Sequence, residues 1–395
     1  MNVGDALDAA YRDEWGQVVA TLIGLTQDWD LAEDCAQDAF AAAVATWPRD
    51  GVPARPGAWL TTAARNRALD RLRRDAVGTA KLRQLAPLAP DPEPHEITDE
   101  RLRLIFTCCH PALPFEARVA LTLRTLCGLS TAEIARALLT TEPTMAQRLV
   151  RAKHKIAEAG IPYRVPPAEL LPPRLAAVLA VLYLIFNAGY DGHQGLTGEA
   201  IHLARVLARL LPDEPEPRGL LALMLFGEAR RATRADDGVL VPLEEQDRDR
   251  WDAALIAEGE RILDHTLAAK RAGPYQVQAA IAACHATAAD AASTDWPQIV
   301  ALYTQLSRLT PSPVVELNRA VAVAMSEGIP AGLALVDALA ASGRLDGYHL
   351  LPATRADLLR RDGRPAAARE AYEQAIALAP TEAERRYLTR RKENL

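Results

Sequence analysis

The stretch Ala63-Ala-Arg-Asn-Arg-Ala-Leu-Asp-Arg-Leu-Arg-Arg74 places five arginines in twelve residues on a framework that reads as a helix. Leu69 and Leu72 offer an apolar side. A basic helix with one face in a core and the other in solvent is suited to lie along a phosphate backbone. The charge around it is sharply segregated. Residues 1–50 hold ten Asp/Glu against two Arg, whereas residues 65–83 hold seven Arg/Lys against two Asp. A second basic stretch at 136–155 holds five Arg/Lys and one Glu. The whole chain of 395 residues carries a net charge of only −6, so the basic character is a local footprint. An acidic protein with such footprints is expected to bind DNA weakly on its own.

Ala, Leu and Arg dominate, and 49% of residues are apolar with few β-branched runs, which argues for an all-α fold in two or three domains. Five cysteines imply no disulfide framework and fit a reducing cytosol, and the polar start Met-Asn-Val-Gly-Asp-Ala lacks a signal-peptide pattern. The longest apolar run, Leu175–Phe186, is short for a bilayer span and reads as a buried helix, so no membrane association is expected. Helices are predicted from Asp5 to Leu25, from about Asp30 to a stop at Pro48, and from Ala58 to about Arg74. Residues 81–99 form a proline-rich linker, and 161–174 a second boundary ending in Leu171-Pro-Pro173.

Ser130 and Glu133 have the spacing of a capping box, and Pro143 suits a first helical turn after a bend at Leu139–Thr141. In the following helix Met145, Leu149, Ala152 and Ile156 recur at core spacing. That places Thr144, Gln147, Arg148 and Arg151 outward, with Lys153 and Lys155 flanking, in the layout of a helix-turn-helix. Gln147 and Arg148 can reach base edges, while Arg151, Lys153 and Lys155 suit phosphates. The same pattern also fits a helical hairpin with a solvated basic face. Upstream, Glu33, Asp34, Gln37 and Asp38 gather on one polar surface suited to a basic protein partner, or to water. Trp59, Arg65, Asn66, Arg67, Arg71, Arg73 and Arg74 combine an aromatic wedge with a cationic track, as a partly opened duplex requires.

Three motifs then stand in order: Ala32-Glu-Asp-Cys-Ala-Gln-Asp-Ala-Phe40; Ala58-Trp-Leu60 with Ala64-Arg-Asn-Arg-Ala-Leu-Asp-Arg-Leu-Arg-Arg74; and Gly128-Leu-Ser130 with the helix-turn-helix. Together they resemble the extracytoplasmic-function sigma factors of bacterial RNA polymerase. The resemblance implies a first domain (1–80) that docks Glu33, Asp34, Gln37 and Asp38 on the polymerase clamp. It also sets Trp59, Arg65, Asn66, Arg67, Arg71, Arg73 and Arg74 at the −10 element. A second domain (100–160) would set Thr144, Gln147, Arg148, Arg151, Lys153 and Lys155 at the −35 element and touch the polymerase flap. Leu139 and Pro143 depart from glycines frequent in that family.

From 175 to 395 the chain reads as helix after helix. Tyr303/Pro311 and Tyr372/Pro380 repeat 69 residues apart, about twice the tetratricopeptide period, and Ala368, Tyr372, Ala375 and Pro380 fit that repeat. Arg355 occupies a position where leucine is usual. Tyr183-Leu-Ile-Phe-Asn187 and Pro311-Ser-Pro-Val-Val-Glu-Leu-Asn-Arg319 resemble the sigma-factor subgroup with a tetratricopeptide-like C-terminal extension. That extension implies regulation, or docking of a protein partner or ligand. Cys108-Cys-His110 reads as buried small residues and not as a metal site. No phosphate loop or catalytic triad is present, so neither catalysis nor a cofactor is expected. The competing reading is a DNA-binding regulator or helical-repeat scaffold that does not engage polymerase.

Overall fold

The computed structural model describes residues 3–76, 100–138, 140–190, 196–236, 239–268 and 270–395. The linker 81–99 and Leu139 lie outside them. The regular structure of the described residues is almost wholly α-helical. They divide into two compact units, Met1–Leu210 and Leu211–Leu395.

In the first unit, α1 (Val3–Thr26), α2 (Trp29–Asp50) and α3 (Pro56–Ala76) pack mutually. Asp28 caps α2 by accepting hydrogen bonds from the amides of Asp30 and Leu31. Pro48 does not stop α2, as its position in the sequence suggested. The proline forfeits one hydrogen bond to the carbonyl four residues earlier, at Val44, whose side chain is 59% exposed, so water can substitute there. The helix ends instead at Gly51, φ +87°, whose amide returns to the Trp47 carbonyl. The buried stripe of α3 also differs from the expectation. Leu60, Ala64 and Ala68, spaced by four, are fully buried, while Leu69 and Leu72 are only half-buried. Small residues on that stripe let α3 lie close to α1 and α2.

The short helix α4 (Glu100–Cys108) packs on α1, and α5 (Phe115–Thr125) leads into α6 (Thr131–Ala137) and α7 (Glu142–Glu158). The Ser130–Glu133 capping box forms with both reciprocal bonds. Thr141 caps α7, where Pro143 sits in the first turn. Met145, Leu149, Ala152 and Ile156 are buried, as their period predicts. Cys108 and Cys109 lie in this core beside the hydroxyls of Thr125 and Thr122, and burial pushes the Cys109 thiol up to about 11. Leu171-Pro-Pro173, expected as a boundary, is instead the first turn of α8 (Leu171–Tyr190). By length and composition α8 is apolar enough to cross a membrane. Here Val178, Val181, Leu182 and Ile185 are buried, and the helix packs on α4, α5 and α9 (Leu196–Leu210). The first unit therefore includes about 35 residues beyond the expected start of the C-terminal domain at 175.

The second unit opens with α10 (Pro215–Ala229), a hairpin of β1 (Ala235–Asp236) and β2 (Val239–Leu240), then α11 (Ala253–Leu267) and α12 (Pro274–Ala286). It continues through α13 (Trp296–Leu309), α14 (Pro313–Glu327), α15 (Ile329–Ala341), α16 (Leu350–Arg361), α17 (Pro365–Leu378) and α18 (Glu382–Glu393). From α12 onward each helix packs on the next, the nearest-neighbour pattern of a stacked helical array. Tyr372 is buried between small residues Ala368, Ala371 and Ala375. Arg355 is accommodated by an ion pair to Asp337 at 2.7 Å.

Gly128, φ +74°, joins α5 to the capping box. A Cβ there would stand 2.8 Å from the Tyr11 hydroxyl and 3.1 Å from Trp15. Gly160, φ +57°, has nothing within 4 Å. Gly160→Ala is expected to cost about 1 kcal/mol, the backbone term alone. Gly128→Ala adds the clash and should cost about 2–4 kcal/mol. Urea denaturation of the two variants checks the difference.

Candidate nucleic-acid and polymerase interface

The acidic face of α2 is spent largely on the chain's own cations. Glu33 is buried, its side chain only 6% exposed. Arg124, from α5, donates through Nε to Glu33 Oε2 at 2.9 Å. Lys153, from α7, places Nζ 2.9 Å from Glu33 Oε1 and 2.7 Å from Asp30 Oδ1. The side chains of Arg124 and Lys153 are 19% and 16% exposed. Burial opposes the Lys153 charge, but Glu33 and Asp30 more than offset it and hold its pKa above the ordinary lysine value. Three helices far apart in sequence thus meet at one carboxylate.

The same surface holds one of the arginines of α3. Arg71 donates to Asp34 Oδ2 at 3.2 Å and to Asp38 Oδ2 at 2.9 Å. Of the four α2 residues singled out from sequence, Gln37 and Asp34 are exposed, Asp38 is half-buried and Glu33 is buried. On α3, Asn66, Arg73 and Arg74 are exposed, and Arg65 and Arg67 are half-buried. Arg73 leans back to Asp70, and Arg74 donates to the Asp70 carbonyl. Trp59 packs edge-on against Trp47 at 5.7 Å, so its ring is half-covered. On α7, Thr144, Gln147, Arg151 and Lys155 are exposed and Arg148 is half-exposed. Thr144 shares a hydrogen bond with the capping Thr141. The structure brings five of these α7 residues to one outward surface and turns Lys153 inward to α2.

Further contacts tie the helices before residue 76 to those after residue 100. Tyr11, Trp15 and Phe40 form an aromatic cluster with centroids 5.0–5.7 Å apart. The Tyr11 hydroxyl donates to the Gly128 carbonyl at 2.8 Å. The Tyr163 hydroxyl donates to the Ala20 carbonyl at 2.7 Å. Arg124, Tyr11 and Tyr163 were not picked out from sequence. Arg124 did leave a signal: a lone charge within the apolar run Val119–Leu126, where an unpaired cation would be costly.

A cationic helix beside an acidic one, followed by a capped helix-turn-helix, defines a two-region DNA-reading protein. Residues 10–77 match the family described as sigma-70 region 2, and residues 103–156 match sigma-70 region 4. The chain belongs to the sigma-70 family of sigma factors, whose partners are core RNA polymerase and promoter DNA. Residues 174–267 match a family of unknown function, DUF6596. The chain is similar to the uncharacterized protein R00370 of Rhizobium meliloti (strain 1021), at 43% identity over 98% of this chain and 96% of that one. No solved structure matches.

Because Lys153 has a raised pKa in the folded state, its stabilising contribution is complete below about pH 10.4 and fades as pH rises through the folded value. Denaturation midpoints taken from pH 8 to pH 11 should show this alkaline loss in the native chain and lack it in Lys153→Met. Glu33→Ala strands two cations and should cost about 3 kcal/mol.

Proposed function

We propose that this sigma factor is of the extracytoplasmic-function type and that its free chain is closed, with region 4 folded onto the polymerase-binding face of region 2. In the open form α2 meets the polymerase clamp through Glu33, Asp34, Gln37 and Asp38. The −10 element lies along α3, and α7 reads the −35 element while region 4 touches the flap. The C-terminal helices serve as a tetratricopeptide-like module for regulation or partner docking. The protein acts in the cytosol, where polymerase and promoters are.

The observation that carries this reading is the Glu33–Arg124–Lys153 cluster. A carboxylate assigned to polymerase and a lysine assigned to DNA are neutralising each other. Distance supports the same conclusion. The two promoter elements lie, by their numbering, roughly 25 base pairs apart, or about 85 Å along the duplex axis. A compact unit of the size of Met1–Leu210 has a radius of gyration of about 17 Å. Regions packed this closely do not reach both elements, so engagement requires them to part.

Transcription from promoter fragments by core polymerase plus this protein tests the function; absence of promoter-dependent transcripts contradicts it. Arg124 carries no assigned contact to DNA or polymerase, so Arg124→Ala tests closure, with the circular dichroism spectrum checking that loss of its hydrogen bond to the Leu129 carbonyl leaves region 4 folded. It should raise affinity for core polymerase several-fold, since 1.4 kcal/mol of lost self-docking is tenfold in binding. Unchanged or weaker binding would argue against a competing closed state. At the DNA, Arg151→Ala should weaken promoter binding across sequences and flatten the salt slope by about one unit, whereas Arg148→Ala should change preference at one base position. Equal, sequence-independent losses would break these assignments.

A further inference from the structure

The second unit contains a cavity of about 320 Å³, at the small end of the range for ligand sites. It lies where α12, α13, α14, α16, α17 and α18 converge beside the turn after β2. Most of its wall is apolar or aromatic, contributed by Trp296, Val321, Met325, Leu358, Tyr372 and Tyr387. Three guanidinium groups, of Arg248, Arg361 and Arg391, line it against two carboxylates, of Glu244 and Asp357.

The two carboxylates are already shared. Arg361 binds both Asp357 and Glu244. Arg391 binds Glu245 at 2.8 Å and stands 3.9 Å from both Glu244 and Asp357. Arg360 also takes Asp357. Arg248 meets carbonyls instead: its Nη1 donates to those of His285 and Ala288, while its guanidinium stacks 4.6 Å over Trp251. The Nε of Arg391 is buried and has no hydrogen-bond acceptor. His285, at the wall beside Trp296, is held neutral by its burial and then by Arg230 and Arg248, with a pKa near 4. Arg360, Arg361 and Arg391 are thus matched in number by Glu244, Glu245 and Asp357, and the positive charge beyond them is that of Arg248, which with the unpaired Arg391 Nε faces an apolar chamber. Such a chamber recognises one negative charge on a body that prefers to leave water.

We propose that this cavity is a binding site for a small organic carboxylate with an apolar or aromatic body. The carboxylate accepts from the Nε of Arg391 under the charge of Arg248, and the body lies against Trp296, Met325 and Tyr387. An inorganic anion lacks the apolar contact, and a neutral amide lacks the charge that the arginines leave uncompensated. The assignment concerns residues of the second unit only and stands independently of the promoter roles above.

Calorimetric titration of the full-length protein with phenylacetate and octanoate, set against phenylacetamide and inorganic phosphate, tests it. Saturable binding of at least one carboxylate is expected, with phenylacetamide and phosphate at least tenfold weaker. Met325→Trp fills the chamber without altering its charge and should abolish that binding, with the circular dichroism spectrum retained. Should that variant fail to fold, Val321→Phe, a smaller filling of the same chamber, should weaken binding at least tenfold. Arg248→Gln should reduce the carboxylate's advantage over its amide. No saturable heat from either carboxylate at millimolar concentration, equal binding of acid and amide, or undiminished binding to the filled variants would each overturn the proposal.

Discussion

A single buried carboxylate organises the N-terminal half of this protein. A carboxylate in a nearly water-free position is costly without partners, and Glu33 finds them in Arg124 and Lys153 on two other helices. The pairing ties α5 and α7 to α2 through side chains, while α5 packs on α1. Around it, the Tyr11 hydroxyl on the Gly128 carbonyl and the Tyr163 hydroxyl on the Ala20 carbonyl set the same docking at two further points. Buried ion clusters contribute little net stability compared with an apolar contact, but they are selective, because every misaligned arrangement leaves a charge stranded. That selectivity suits a docking that must form one way and still be reversible.

The economy of the arrangement lies in sharing. Arg71, on the cationic helix, is held by Asp34 and Asp38 of the acidic one. Lys153, on the helix-turn-helix, is held by Asp30 and Glu33. The Arg71 pairs lie within region 2, whereas the Lys153 pairs join region 4 to it. In the closed form proposed above it is these that would be exchanged for contacts to polymerase and DNA, a gap that a partner bridges by differential binding.

Much of this was legible from residue order. The helix-turn-helix followed from local chemistry: Ser130 with Glu133, Pro143 in a first turn, and a core stripe from Met145 to Ile156. These rules act within four residues, where sequence spacing and spatial distance coincide. Errors arose where tertiary context decides. Pro48 sits inside α2 because the carbonyl it leaves unpaired is at an exposed position. The buried stripe of α3 consists of alanines, which carry little hydrophobic signal, while the leucines beside it are only half-covered. Glu33 and Arg124 are 91 residues apart, and no periodicity relates them. The cavity in the second unit was equally invisible, since its lining comes from six helices and a turn. The two helices from Leu171 to Leu210 belong to the first compact unit because α8 buries its apolar side against α4 and α5.

The distance between the two promoter-reading regions measures the central claim directly. Spin labels at Arg49→Cys and His154→Cys, both exposed positions, with the half-buried Cys284 replaced by serine, report that distance by pulsed electron resonance. A closed free protein gives a short, narrow distribution that shifts to a long one when core RNA polymerase is added. A long or broad distribution in the free protein, or one that polymerase leaves unchanged, would contradict closure.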